Sequence, residues 1–82
     1  ELVYDDIWER PGLSKRDRSL ITIAMLTAMY RTNQIRSHMR RALDNSVTKD
    51  EIGEVLMHMA FYTGWPCAVN AFEVAKEVFD QG

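Results

Sequence analysis

Eighty-two residues allow one small domain, and 46% of them are hydrophobic, including five Met, three Phe, three Tyr and two Trp. A net charge of −2 and a pI of about 5.6 exclude a global basic field that would draw in phosphate polymers. One cysteine, Cys67, excludes an internal disulfide and a cysteine-based zinc site, so subunit assembly is the expected source of extra stability.

The chain opens on "ELVYDDIWER", where Val3, Ile7 and Trp8 suit a short helix ended by Pro11-Gly12. The opening resembles the inside of an element, and further sequence upstream is expected. Ser14 is a credible N-cap, with Asp17 three positions on. The following run "LITIAMLTAMY", residues 20–30, has only Thr22 and Thr27 as polar interruptions. A helix apolar on nearly every side must be covered on nearly every side, which again predicts partner subunits.

A third helix is predicted from about Asn33 to Leu43, closed by Asp44-Asn45-Ser46. Thr48 with Glu51 forms a capping box for a fourth, which continues through "IGEVLMHMAFY" and stops at Gly64. Pro66 suits the first position of a fifth helix reaching about Phe79. The pattern is all-α, without repeats or low-complexity tracts. It has no apolar run long enough for a bilayer and no signal-peptide pattern, so a soluble, cytoplasmic protein is expected.

Two helix faces carry chemistry. On the third helix Arg31, Gln34, His38 and Ala42 share a face, whereas Arg36 and Arg40 point away, onto what reads as a solvated side. The arginines therefore form no single stripe, and nucleic acid is not an expected partner. His38 lies at the edge of the apolar face of Ile35, Met39 and Ala42, where a packing histidine is as natural as a functional one. On the fourth helix Glu54, His58 and Tyr62 recur every four residues, with Ile52, Leu56 and Met59 opposite. A carboxylate one turn from a histidine can orient its ring and raise its basicity, and a tyrosine beyond can donate to a reacting oxygen. An ordinary ion pair at a subunit interface would use the same spacing. No HExxH or ExxH spacing supports a metal site. Cys67 follows Pro66 in the first turn of a helix, a place that lowers a thiol pKa, but a lone Cys there is more often a small packing residue.

Four segments taken together, "WERPGLSKRDRSLITIAML", "RSHMRRALDN", "TKDEIGEVLMHMAFYTGWP" and "NAFEVAKEV", resemble the carboxymuconolactone decarboxylase family. The similarity runs from Trp8 to Val78, and residues 1–82 read as one such domain lacking helical sequence upstream. The resemblance implies an all-helical AhpD-like subunit in a homotrimer or homohexamer. It also implies decarboxylation of a small carboxylated lactone in aromatic catabolism without metal or organic cofactor. AhpD-type alkylhydroperoxidases of the same superfamily use a CxxC pair four residues before a histidine. Aligned on His38, those positions hold Arg31 and Gln34, so dithiol chemistry is unavailable here. The family turn has glycine where Ser46 stands, which predicts that Asn45 takes the left-handed position instead.

On this resemblance His38 and His58 are the expected proton donor and oxyanion partner, in either order, with Glu54 orienting His58. Arg18 is the expected carboxylate anchor and Arg16 its companion, because guanidinium forks suit carboxylates. Tyr62 and Trp65 are expected to line the substrate pocket. The competing reading is an oligomeric binding or scaffold protein whose polar faces merely pair subunits.

Overall fold

Local capping chemistry sets where the helices begin. The Ser14 side chain accepts the Asp17 N–H at 3.0 Å and starts α1, Lys15–Ala28. The second helix, α2, covers Thr32–Asp44, and α3 covers Lys49–Thr63. Thr48 and Glu51 close a full capping box at the start of α3: the Glu51 N–H donates to the Thr48 hydroxyl at 3.1 Å, and the Thr48 N–H donates to the Glu51 carboxylate at 2.9 Å. Gly64, at φ +98° and ψ 152°, ends α3 in a conformation that suits glycine alone, and α4, Trp65–Gln81, follows at once. The computed structural model describes residues 6–81, and no strand occurs among them.

The all-α expectation holds among the described residues, and three finer expectations fare differently. First, the short helix expected around Val3, Ile7 and Trp8 falls largely on residues 1–5, outside the described residues. Asp6 and Ile7 have π-helical backbone, and a turn follows in which the Arg10 N–H donates to the Ile7 carbonyl at 3.2 Å. Trp8 is turned inward there instead of riding a helix face. Second, Ser46 and not Asn45 takes the left-handed position, with φ +75° against −93°. The α2 terminus closes by a Schellman motif: the Val47 N–H donates to the Ala42 carbonyl at 3.0 Å and the Ser46 N–H to the Leu43 carbonyl at 3.3 Å. That pattern fixes the left-handed residue one place beyond the cap. Third, Arg36 does not sit on a purely solvated face, because it forks onto Glu77 of α4 at 3.0 Å.

The helix α1 packs on α2, α3 and α4, and α4 also packs on α2 and α3. Between them lies one core built from Ile23, Ile35, Met39, Ile52, Leu56 and the small α4 residues Ala71 and Ala75. The core face of α1 is Ser19, Ile23 and Thr27, all buried, while the larger Ile21 and Met25 are exposed. Small side chains let α1 approach its neighbours closely, and the bulky apolar ones are left on the outer face. The Asn45 amide donates to the Ser19 hydroxyl at 3.0 Å, tying the end of α2 to the start of α1. No described helix is long and apolar enough to cross a membrane.

Candidate active site

Pairing α1 with α2 sets two polar side chains 20 positions apart in sequence on one cavity. Arg18 projects from the first turns of α1 and His38 from the middle of α2. The space between them is about 400 Å³, and Thr22 is the one other polar residue lining it among the described residues. The remaining wall is apolar: Ile7, Trp8, Leu13, Ile21 and Met25. Thr22 directs its hydroxyl to the Arg18 carbonyl at 2.8 Å, one helical turn back.

The Arg18 guanidinium is only partly committed. Its Nη2 donates to the Arg10 carbonyl at 3.1 Å, which pins the turn before α1, and its buried Nε has no hydrogen-bond partner. A buried unpaired guanidinium N–H is costly, so the site is suited to a ligand that accepts from it. His38 is half-buried, with its ring stacked against the Trp8 indole at 6.3 Å between centroids and 24° between planes. Burial, and secondarily the positive Arg41, hold its pKa below the ordinary 6.5, so the ring is neutral at pH 7.

The second polar face lies elsewhere. Glu54 and His58 border a cleft of about 470 Å³ with Leu20, Ile21, Ala24, Val55 and Met59. Ile21 lines both this cleft and the Arg18 cavity, and so stands with Met25 between the two groups. The His58 and Tyr62 rings are 5.1 Å apart, and both line a further cleft with Met25. No hydrogen bond or ion pair joins Glu54 to His58 among the described contacts. Tyr62 is 79% exposed, and Trp65, half-exposed, meets Phe61 edge-on at 5.5 Å.

Arg16 is drawn away from the Arg18 cavity by an ion pair with Glu51. Cys67 directs its thiol to the Ala28 carbonyl at 3.9 Å, a packing position at the end of α1. Among the described residues no three His, Cys, Asp or Glu side chains converge as a metal site would require. The structure thus brings together Arg18 and His38, and separately Glu54, His58 and Tyr62. Trp8 is the residue that sequence reasoning missed at the first group. Its aromatic bulk beside Pro-Gly was visible in the sequence, but its contact with a residue 30 positions later was not.

Residues 1–77 match the profile of the carboxymuconolactone decarboxylase family. The chain is 43% identical over 76 residues to a 4-carboxymuconolactone decarboxylase of Acinetobacter baylyi, an alignment covering 93% of this chain and 57% of that protein. It is 32% identical over 80 residues to a nitrosuccinic acid decarboxylase of Metarhizium robertsii, covering 98% of this chain and 56% of that one. An uncharacterized 15.0 kDa protein of Paracoccus denitrificans is also 32% identical, over 81 residues covering 96% and 60%. The chain therefore spans somewhat more than half the length of these relatives. It belongs to the carboxymuconolactone decarboxylase family.

Proposed function

We propose that this member of the carboxymuconolactone decarboxylase family is a carboxy-lyase acting without metal or organic cofactor on a small carboxylated lactone of the 4-carboxymuconolactone kind. The observation that carries this reading is the pairing of Arg18 with His38 on one largely apolar cavity. The names of two relatives supply the reaction class.

The chemistry asks for few groups because the substrate is its own electron sink. In 4-carboxymuconolactone the γ carbon of an unsaturated lactone carries a carboxylate and a carboxymethyl arm. When the bond to CO2 breaks, its electron pair moves through the ring alkene onto the lactone carbonyl oxygen and gives a dienolate. Protonation of the α carbon then yields the enol-lactone. Nitrosuccinic acid likewise combines two carboxyl groups with an electron-accepting group, so both compounds ask for the same three services.

Arg18 supplies the first, holding the retained carboxylate through the donors that Arg10 leaves open. His38 supplies the second: a neutral imidazole N–H donates to the oxygen on which charge develops, typically the largest electrostatic contribution to such a step. The departing carboxylate lies against the apolar side chains of Ile21 and Met25, which leave the charged ground state poorly solvated once the assembly covers the cavity. The third service is the proton, for which His58 is the remaining candidate, with Glu54 and Tyr62 on its face. In the trimer or hexamer that belongs to this proposal, that face closes over the cavity from the same subunit or a second one. Arg16 stays a supporting cation paired with Glu51, Tyr62 and Trp65 are contacts at the rim, and the proposed setting is the cytoplasm.

The separation of the histidines and the exposure of Met25, Met29 and Phe61 favour a second reading, a non-catalytic oligomeric scaffold. One experiment separates the two. The purified protein is given 4-carboxymuconolactone with EDTA present, and enol-lactone formation is followed by ultraviolet absorbance. Turnover is expected; a folded protein that turns over neither this lactone nor 2-nitrosuccinate would favour the scaffold.

A further inference from the structure

Trp8 stands between two unlike spaces. On one side is the apolar cavity with Arg18 and His38, and on the other a polar cleft of about 120 Å³ formed with Glu9, Lys15, Arg41 and Asn45. The indole is only 8% exposed although no α-helix carries it. Its segment is fastened by the Arg10–Ile7 turn and by the Arg18 side chain, which holds the Arg10 carbonyl at 3.1 Å. The nearly parallel contact with the His38 ring, at 6.3 Å, is within the range at which aromatic pairs orient each other.

The geometry points to Trp8 as the positioning residue of the site: its indole sets the plane of the His38 imidazole and walls the reaction cavity off from the charged cleft behind it. This rests on the reading that His38 works at the Arg18 cavity. An imidazole on two rotatable bonds has several orientations open to it, and a misplaced donor loses much of its value in the transition state. The charged groups around the ring include, among the described residues, Arg41 on its own helix, Arg18 across the cavity from α1, and Glu9 with Lys15 behind the indole, paired to each other at 2.9 Å. Removing the indole joins the two spaces, admits water and brings the Glu9 carboxylate into the surroundings of the ring. Each of these changes eases protonation of His38.

The test uses the whole chain with Trp8→Phe and Trp8→Leu, ring NMR titration of the histidines with His38→Asn to assign the signal, and steady-state kinetics. Trp8→Phe keeps a ring face and is expected to keep the low His38 midpoint and to lose less kcat than Trp8→Leu. Trp8→Leu keeps apolar bulk without the face; its His38 midpoint rises toward 6.5 and its kcat falls about tenfold or more, with a smaller change in KM. A helical Trp8→Leu protein with an unmoved His38 midpoint, or with its whole loss in KM, overturns the inference. A second measurement leaves Trp8 in place. In a Trp65→Phe background, indole emission steps with pH at the His38 midpoint because imidazolium quenches a stacked indole, and His38→Asn abolishes the step. No step in the parent overturns the assignment. Both titrations are independent of turnover, so a protein that fails to decarboxylate refutes the proposed function while the Trp8–His38 contact is still judged by its own result.

Discussion

Arg18→Met separates the binding role of the guanidinium from its structural one. In the folded chain the side chain makes one hydrogen bond, to the Arg10 carbonyl at 3.1 Å, and carries one buried donor without a partner. Losing the bond costs about 1–3 kcal/mol, and removing an unsatisfied buried N–H returns a similar desolvation cost, so the two largely offset. The melting temperature should therefore move by no more than about 8 °C, the shift that 1 kcal/mol gives in a domain this small. Binding has no such offset. A charge-assisted contact to a carboxylate is worth about 1.5–3 kcal/mol, which predicts a loss of about 10- to 150-fold in kcat/KM. Initial rates of enol-lactone formation over a range of lactone concentrations give the kinetic change, and circular-dichroism melts give the stability. Arg18→Lys should fall between, since it restores the charge but not the fork. A helical Arg18→Met protein with kcat/KM within about twofold of the parent would refute the reasoning.

His38→Asn should lower kcat about 10²–10³-fold, the usual cost of removing one oxyanion donor, with the helices intact by circular dichroism. The depressed pKa of His38 also has a signature in stability. As pH falls below 6.5 the unfolded chain takes up this proton before the folded one, so stability declines down to the folded midpoint and is unaffected by His38 above 6.5. Melting temperatures across that window, compared with His38→Asn, check the sign. Ser46→Gly should stabilise the protein by about 0.5–1 kcal/mol, because φ +75° strains a serine and suits glycine; unfolding in urea measures it. Gly64→Ala should cost about 1–3 kcal/mol in the same assay, since the added Cβ meets nothing closer than Pro66 at 3.8 Å and the strain lies wholly in φ +98°.

What was legible in the sequence was local. Ser14, Thr48 and Glu51 act on backbone groups three residues away, so their spacing alone located two helix starts. The buried stripes Ile35–Met39–Ala42 and Ile52–Leu56–Met59 followed from helical periodicity, and they in turn located His38 and the outward Glu54–His58–Tyr62 face. What depends on how helices meet was not legible. Arg36 reads as solvated until α4 brings Glu77, 41 positions on, within 3.0 Å. The same holds for Trp8 against His38 and for Arg18 beside them, since helix pairing decides which side chains share a cavity. The α1 run reads as apolar all round, yet the fold uses Ser19 and Thr27 as close-packing residues and leaves Ile21 and Met25 outside. Hydrophobicity alone does not rank small polar residues above large apolar ones for a tight helix contact.

The most direct test of where the substrate binds needs no turnover. A saturated lactone bearing the same two carboxylates, which has no alkene to accept the electron pair, is titrated into isotope-labelled protein while arginine Nε–H and histidine ring signals are followed by NMR. If the Arg18 cavity is the substrate site, the Arg18 Nε–H and His38 ring signals shift together and saturate with one dissociation constant, and Arg18→Met abolishes the response. Saturation at His58 and Tyr62 with Arg18 and His38 unmoved would contradict it and place the substrate on the other side of Ile21.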